Sequence, residues 1–262
     1  MEYENVILEK EGTVAILTVN RPAKYNALNT ATRREIADVI NTIKSDLSVS
    51  VLVITGSGEK AFIAGTDLTE FGKMSPLEVF EFCNTYGQRL YTSLEELPIP
   101  VIAMINGYAF GGGLEISMAC DFRFASDNAR LGQPEINLGF IPSGGGTQRL
   151  SRLVGSGLAR QMLFTGDAIS AQEAYRIGLV NAVFPPDQLR DAVMKVANRI
   201  ARRGRTSLMM CKRAALLSQE VGLTPGLAYE TLCQVACFTH PDRAEGVQAF
   251  FEKREPDFHK EF

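Results

Sequence analysis

Apolar residues recur along the first two hundred positions with periods of two and of three to four, which predicts alternating strands and helices. Residues 6–10 and 13–19 flank Gly12 and predict a β-hairpin. Residues 32–46 show the spacing of an amphipathic helix, with apolar side chains at Ile36, Val39, Ile40 and Ile43. The chain is therefore predicted to open with two strands followed by a helix.

Short, mainly apolar runs predict further strands, because a strand buried on both faces shows no regular alternation. Such runs occur at residues 51–55, 100–105, 122–125 and 179–184. Two capping boxes predict helix starts at Ser75 and Ser170, each followed three residues later by a glutamate. The helix that begins after Ser75 is predicted to continue to about residue 96.

From Pro186 onward the strand patterns stop and only helical spacing follows. The predicted helices lie at residues 189–202, 207–218, 225–238 and 243–253. No low-complexity linker precedes them. We therefore predict an α/β core at residues 1–200 and an all-helical region at 201–262, which packs on this core or on a neighbouring subunit.

Composition narrows the classes of function. The 262 residues are 45% hydrophobic with a net charge of -3, so no general attraction to nucleic acid or anionic membranes is expected. No apolar run approaches the roughly 20 residues that span a bilayer. Five cysteines without CxxC spacing and two histidines predict no metal site. With a charged first dozen residues that lack a signal-peptide pattern, these features predict a cytoplasmic protein with reduced thiols.

Three glycine-containing segments are the candidate places for chemistry, since glycine lets backbone N–H groups approach a ligand closely. They are residues 61–68, 111–115 and 132–150. None matches the phosphate-loop or the dinucleotide-binding pattern, so a nucleotide phosphate loop is not predicted.

Two carboxylates follow the second and third of these turns. Glu115 and Glu135 flank the strand predicted at 122–125, so a chain that leaves and returns brings both to one pocket. Glu115 sits among apolar residues, where burial raises the pKa of a carboxyl and suits it to proton transfer near neutral pH. The alternatives are a glutamate that stabilises the first turn of a helix for Glu115, and a surface carboxylate for Glu135.

At these residues the sequence resembles the enoyl-CoA hydratase/isomerase (crotonase) superfamily. The resemblance rests on AFIAGTDL, NGYAFGGGLEISMACDFRFAS and GQPEINLGFIPSGGGTQRL, in the family's order and separation. NRPAKYNALN, LFTGDAISAQEAYRIGLVNAV and AFFEKR extend it across nearly the whole chain. It implies an α/β spiral of ββα units with a C-terminal helical region that forms homotrimers, often paired into hexamers.

The resemblance also implies a site for an acyl-CoA thioester, with CoA as part of the substrate and no other cofactor. The backbone N–H groups of Thr66 and Gly112 would form the oxyanion hole. Glu115 would orient and deprotonate water, and Glu135 would deliver the α-proton, as in hydratases that keep both glutamates. Further implied contacts with the substrate or CoA are Lys24, Ala27, Leu28, Ala64, Gly65, Asp67, Leu68, Gly111, Pro134 and Ser143, with Phe250 and Lys253 reaching a neighbouring subunit's nucleotide.

Two departures from the family pattern bear on the site. Thr66 stands where alanine is frequent, so its side chain is expected to narrow the mouth or hydrogen-bond to the acyl group. Ser143 replaces a usual glycine in a turn that positions the water. The acyl preference stays open, since Phe80, Phe82 and Tyr86 fit either an acyl pocket or the core face of a helix.

Other functions compete with the hydratase interpretation. An isomerase, or another lyase or hydrolase of this fold, would use the same oxyanion hole. A Ser-His-Asp or Cys-His hydrolase is disfavoured because the histidines, His240 and His259, lie in the helical tail and no nucleophile elbow is present. A non-catalytic acyl-CoA or RNA-binding relative would use the basic cluster at residues 202–205, which lacks interleaved aromatic residues.

Overall fold

The computed structural model describes residues 3–258 and contains two β-sheets surrounded by helices. The strands are Val6–Glu11 (β1), Val14–Val19 (β2), Val51–Gly56 (β3), Ala61–Ile63 (β4), Val101–Ile105 (β5), Tyr108–Phe110 (β6), Phe122–Ser126 (β7), Arg130–Gly132 (β8), Ile169–Ser170 (β9) and Ala182–Phe184 (β10). The α-helices are Thr30–Ser45 (α1), Leu68–Phe71 (α2), Pro76–Phe82 (α3), Leu90–Glu95 (α4), Gly112–Met118 (α5), Gly146–Val154 (α6), Ser156–Thr165 (α7), Ala171–Arg176 (α8), Pro186–Ala201 (α9), Arg205–Leu217 (α10), Leu223–Thr239 (α11) and Asp242–Glu252 (α12).

The two sheets are built by a repeating unit. Six strands form the larger sheet in the order β1-β2-β3-β5-β7-β10, and four form the smaller one in the order β4-β6-β8-β9. The chain visits the larger sheet, then the smaller one, then helices, and β3–β4, β5–β6 and β7–β8 repeat this path. The structure therefore confirms the α/β spiral of ββα units.

The core lies on both faces of the larger sheet. One apolar cluster joins its strands to α1, α4 and α5, with Leu17, Ile36 and Ile54 fully buried. A second cluster joins the opposite face to α9, where Val53, Ile102 and Val193 are fully buried. Strands β3 and β5 are buried along their whole length, which is why they appear as continuous apolar runs in the sequence.

The helix predicted from Ser75 to about residue 96 is helical throughout but not regular. α3 and α4 are joined by a π-helical segment, Cys83–Arg89, in place of α-helical turns. The predicted capping box at Ser75 is complete in both directions. The one at Ser170 is half formed, because the Glu173 carboxylate pairs with Arg176 instead of returning to the helix start.

The tail contains the predicted helices, α9 to α12, and the late strand is shorter than predicted, since only β10 is extended within residues 179–184. Lys212 attaches α10 to the α/β core, because its ammonium donates to the Asp121 carboxylate at 2.8 Å and to Ile99 O at 3.0 Å.

The division of the chain into a core at residues 1–200 and a helical region at 201–262 stays a prediction. His259 lies outside the described residues. None of the helices in residues 3–258 combines the length with the apolar character that a membrane-spanning segment needs.

Candidate active site

The candidate site forms at one edge of the smaller sheet. β4, β6 and β8 are neighbours and run parallel, so the turns that follow them leave from the same edge. These turns carry residues 64–68, 111–115 and 133–139. Three segments that are far apart in sequence thus meet because the strands before them are adjacent in space.

The first turn is held by backbone hydrogen bonds to Leu28. Leu28 N donates to Gly65 O at 2.8 Å, and Asp67 N donates to Leu28 O at 3.0 Å. This pattern skips Thr66, whose N–H donates to no group of the described residues. The side chain of Leu28 is fully buried, so Leu28 positions the turn through its backbone.

The second turn presents another free donor beside the first. Gly111 has a φ of 49°, a conformation that favours glycine, and its N–H donates to Gly132 O at 3.0 Å. Gly112 begins α5, so its N–H has no partner within the helix. A Cβ at Gly65 would lie 4.0 Å from Gly112 N, which shows how closely the two turns approach. The N–H groups of Thr66 and Gly112 are therefore adjacent and unpaired among residues 3–258.

Glu115 is a buried carboxylate on α5, with only 4% of its surface exposed. Its Oε1 accepts from Gly144 N at 2.7 Å and from Gly146 N at 2.8 Å. Its Oε2 accepts no hydrogen bond from the described residues and is left for a ligand. Burial raises the pKa of the Glu115 carboxyl, while the two N–H donors and two nearby guanidinium groups oppose that rise.

Glu135 lies in the third turn, a short 3₁₀ segment at Pro134–Leu138. Burial, with a smaller contribution from the charge of Glu115, raises the pKa of its carboxyl to about 7. The Gln133 amide, turned with its nitrogen toward this carboxyl, donates to Oε1 at 2.9 Å and Oε2 at 3.0 Å. A Cβ at Gly111 would lie 2.8 Å from Glu135 Oε1, so this carboxyl faces the second turn.

Gln133 lies near both carboxyl groups. A Cβ at Gly146 would lie 2.9 Å from the Gln133 amide and 3.0 Å from Glu115 Oε1. The structure therefore brings Glu115 and Glu135 to one place, with a glycine turn and an amide between them. Two carboxyl groups with raised pKa values beside two free N–H donors can move protons next to a bound oxygen atom. Within residues 3–258, no three His, Cys, Asp or Glu side chains are placed to hold a metal ion.

Residues expected at the CoA binding surface lie around the first turn. Lys24 and Leu68 are exposed, while Ala27 and Ala64 are partly exposed. Ala64 N donates to Tyr25 O at 3.1 Å. These positions form a surface beside the Thr66 turn that a ligand can reach.

Asp67 supports this turn instead of facing a ligand freely. Its carboxylate accepts from Thr69 N at 3.2 Å and forms an ion pair with Arg21 at 3.2 Å. A hydrogen bond from the Thr69 hydroxyl at 2.7 Å is the largest cause that lowers the pKa of the Asp67 carboxyl, and Thr69 N–H and Arg21 add to it. Asp67 is therefore occupied by neighbours in the protein.

The other expected contacts lie on two further segments. Pro134 and Ser143 are partly exposed next to the carboxyl groups. Phe250 is 78% exposed near the end of α12, and Lys253 follows this helix with a φ of 55°. No described hydrogen bond or ion pair joins Phe250 or Lys253 to the cluster around Glu115, and a contact with a neighbouring subunit stays a prediction.

An aromatic cluster adjoins the site. The ring of Phe71 lies 5.6 Å from that of Phe82 and 5.5 Å from that of Phe140. Phe82 is buried, whereas Phe80 is 67% exposed and belongs to neither the core nor this cluster. The interpretation of these aromatic residues as a core face therefore holds for Phe82 and is wrong for Phe80.

Several polar residues that lie near the site were not identified from the sequence. They are Arg33, Tyr91, Gln133 and Arg149. Arg33 had a signal, because it precedes Ile36 by three residues and Ile40 by seven, which places it on the apolar face of α1. Gln133 had none, since a glutamine before a proline predicts only a turn.

Comparisons with known proteins agree with this geometry. The sequence profile of the family described as Enoyl-CoA hydratase/isomerase matches residues 9–261. The chain is 46% identical to a crotonyl-CoA hydratase of Syntrophomonas wolfei, covering 98% of this chain and 99% of that one. It is also 46% identical to a short-chain-enoyl-CoA hydratase of Clostridium acetobutylicum, covering 97% of each.

A solved structure supports the same assignment. The crystal structure of an enoyl-CoA hydratase from Bacillus anthracis superimposes with a TM-score of 0.94 at 39% identity, covering 98% of this chain and 100% of that one. Profile, sequence and fold agree over almost the entire length. The chain belongs to the enoyl-CoA hydratase/isomerase family.

Proposed function

We propose that the chain is an enoyl-CoA hydratase that adds water reversibly across the 2,3 double bond of an enoyl-CoA thioester. The observation that carries this proposal is the meeting of Glu115 and Glu135 beside the free N–H groups of Thr66 and Gly112. One carboxyl group would be enough for moving a proton along a carbon chain. Two are needed to take a proton from water and give another to carbon.

In this mechanism the thioester oxygen accepts hydrogen bonds from Thr66 N–H and Gly112 N–H. They draw electron density from the conjugated double bond, so the β-carbon becomes electrophilic. The water oxygen bonds to this carbon while its proton passes to Glu115. The electron pair of the double bond forms an enolate, and the α-carbon then takes a proton from Glu135. Each donor of this kind is typically worth about 10²–10³ in rate.

The environments of the two carboxyl groups suit opposite roles. Glu115 Oε1 accepts two backbone hydrogen bonds, which favour the ionised form, and Oε2 is free to receive a water proton. Glu135 has a pKa of about 7, so a large share is protonated at neutral pH. Like charges close together also keep one of the two protonated.

We propose a short linear enoyl-CoA, such as crotonyl-CoA, as substrate. The names of the relatives from Syntrophomonas wolfei and Clostridium acetobutylicum support a short chain. A larger dicarboxylic acyl group is the alternative, supported by 41% identity to a 2,3-dehydroadipyl-CoA hydratase of Escherichia coli.

We also propose a cytoplasmic homotrimer or dimer of trimers that binds CoA through the exposed surface around Lys24 and Leu68. Cysteines without disulfide bonds among the described residues support the location. Exposed apolar side chains on α11 and α12, such as Leu232 and Phe250, support the assembly.

The test is the loss of the conjugated enoyl absorbance of crotonyl-CoA. We expect wild-type protein to remove this band, and Glu115→Gln and Glu135→Gln each to lower kcat by about 10²-fold or more, since each removes one proton-transfer group. Glu59→Gln is the matched control, because Glu59 is exposed and outside the site. Full activity in either site variant would contradict the two-carboxylate mechanism. A wild-type protein that binds CoA but leaves the enoyl absorbance unchanged would rule out crotonyl-CoA hydration.

A further inference from the structure

Arg33 is a buried cation that the mechanism above does not use. It lies in the first turns of α1, and only 2% of its surface is exposed. A guanidinium keeps its charge in a protein, and a buried charge normally requires a partner of opposite sign. Arg33 therefore calls for a functional explanation.

The partners of Arg33 are neutral. Nη1 donates to Tyr86 O at 2.7 Å and to Tyr91 Oη at 2.8 Å, and Nη2 donates to Thr66 Oγ1 at 2.9 Å. The guanidinium carbon lies 5.1 Å from the centroid of the Phe82 ring. No carboxylate of residues 3–258 forms an ion pair with it, and Nε has no partner among them. Dipoles and rings solvate the positive charge, which acts on the buried Glu115 carboxylate through space but forms no ion pair with it.

The position of this charge is specific. A Cβ at Gly112 would lie 3.2 Å from Arg33 Nη2, 3.3 Å from Thr66 Oγ1 and 3.3 Å from Tyr91 Oη. Tyr91 Oη in turn donates to Gly112 O at 3.1 Å. The guanidinium thus lies directly behind the two residues whose N–H groups face the proposed thioester oxygen.

We propose that Arg33 is a positioning residue whose charge, held against Thr66 and Gly112, stabilises the negative charge that the thioester oxygen gains. This inference rests on the proposed function. Oriented charges in a dry site act most strongly where charge develops during the reaction, so Arg33 favours the enolate over the neutral thioester. Its contribution appears in kcat more than in KM.

The inference also explains the threonine at position 66. The Thr66 hydroxyl accepts a hydrogen bond from Arg33, so it points its oxygen toward α1. Alanine at this position would leave Nη2 without this acceptor in a buried environment, which is unfavourable for a charged donor. Arg33 and Thr66 therefore act as one unit.

The first test measures polarisation of a bound thioester directly. The probe is 2,4-hexadienoyl-CoA, whose absorption band moves to longer wavelength when its carbonyl is polarised. It is bound to protein carrying Glu135→Gln, so that it is not consumed; Arg33 is not among the groups that shift the pKa of Glu135. We expect Arg33→Met to reduce the red shift by at least half, and Arg33→Lys, which keeps a charge, to retain more of it.

The second test uses hydration of crotonyl-CoA by the otherwise native chain. We expect Arg33→Met to lower the plateau kcat of the pH profile by about tenfold or more, by analogy with loss of an oxyanion donor, and to leave KM within about threefold. The plateau is compared because Arg33 also lowers the pKa of Glu115, so its loss shifts the profile as well. Arg34→Met is the matched control, since Arg34 is exposed on the same helix and bonds only Tyr86 Oη among the described residues. The control is expected to keep both the red shift and kcat.

A third variant guards against misfolding of the Arg33 variants. Thr66→Val keeps the shape of the side chain but removes the acceptor for Nη2, and is expected to reduce the red shift as well. A folded Arg33→Met or Thr66→Val protein with the full red shift and full kcat would overturn the inference and leave the hydratase proposal intact. A wild-type chain that neither binds the probe nor hydrates crotonyl-CoA would overturn both.

Discussion

The carboxyl group of Glu135 makes the stability of the fold depend on pH. Its pKa is raised from 4.5 to about 7 in the folded chain, chiefly by burial. Between these values the unfolded chain releases this proton while the folded chain keeps it, so rising pH favours unfolding. We expect the free energy of unfolding of wild type to fall, relative to Glu135→Gln, as pH rises from about 4.5 to about 7.

Urea denaturation of both proteins at several pH values measures this difference, which should stop changing above the folded pKa. Glu135→Gln is the control for wild type, because its side chain keeps the same shape but cannot titrate. Parallel curves for the two proteins across this range would show that Glu135 titrates at an ordinary pKa.

Single residues differ in how far the sequence reveals them. Glu115 could be predicted because a carboxylate among apolar neighbours on a helix is unusual, and its burial agrees with that prediction. The position of Arg33 on the apolar face of α1 was a signal, but Arg34 beside it masked that signal, since a pair of arginines is typical of a solvated surface. The hydrogen bond from Gln133 to Glu135 depends on the packing of β8, which local sequence does not encode.

At the scale of elements, the turn before α6 is the part that orients Glu115. Gly144 and Gly146 donate to the carboxylate, and a Cβ at Gly144 would lie 2.8 Å from Glu115 Oε2. Arg149 holds this turn from α6, because its Nη1 donates to Gly144 O at 3.1 Å and its Nη2 pairs with Glu95 on α4 at 2.6 Å. The Glu115 carboxylate, which we propose activates water, is thus aligned by an ion pair between two helices.

Removing this ion pair should loosen the turn. We expect Arg149→Met to lower kcat for crotonyl-CoA by about tenfold and to cost about 1–3 kcal/mol in the free energy of unfolding, because Glu95 and Gly144 O each lose a donor in a half-buried place. Enzyme kinetics and urea denaturation measure the two effects.

Arg152→Met is the control variant, and it tests whether removing any arginine of α6 has the same effect on kcat and stability as Arg149→Met. Arg152 is exposed and bonds only Gln148 in its own helix among the described residues, so this variant should match wild type in both measurements. Equal losses in the two variants would mean that Arg149 acts through general stability of α6 and not through the turn.

Elements differ in predictability because of their length. The strands of the larger sheet have five or six residues at β1, β2, β3, β5 and β7, and their apolar runs were found. β4, β6 and β8 have three residues each, too few to show a period, although they place the site. The π-helical segment was also missed, since local spacing predicts a helix without fixing its hydrogen-bond pattern.

The whole molecule exposes an apolar surface at its C-terminal end. Leu232, Val235 and Phe238 on α11 are more than half exposed, as are Phe250 and Phe251 on α12. Apolar patches of this kind on a folded chain mark interaction surfaces. They support self-association of the chain through its tail.

We expect sedimentation equilibrium to give a mass that is a multiple of 28.7 kDa for wild type and a lower mass for Leu232→Glu. A charge placed in an apolar interface must be buried without a partner, which opposes assembly. Leu47→Glu is the control, because Leu47 is 79% exposed in the loop after α1. A monomeric wild type, or an unchanged mass in the Leu232 variant, would contradict assembly through α11.

The whole fold was predictable because the resemblance spans nearly the entire chain, and the family assignment and the sheet topology both confirm it. The alternation of strands and helices by itself indicated an α/β core but not the spiral path. That path depends on which strand lies next to which, and β3, β5 and β7 become neighbours only through contacts across the fold.

The order of β4, β6 and β8 along the chain also determines the order in which the groups of the site are synthesised. Each successive turn of the chain delivers one component: first the Thr66 donor, then Gly112 with Glu115, and last Glu135. A growing polypeptide on the ribosome therefore carries the earliest donor well before its partners have been synthesised. Docking of β8 brings in the last of these groups, before the turn at Gly144 and Gly146 orients Glu115. A mutation that slows this docking therefore delays the appearance of activity without changing its final level.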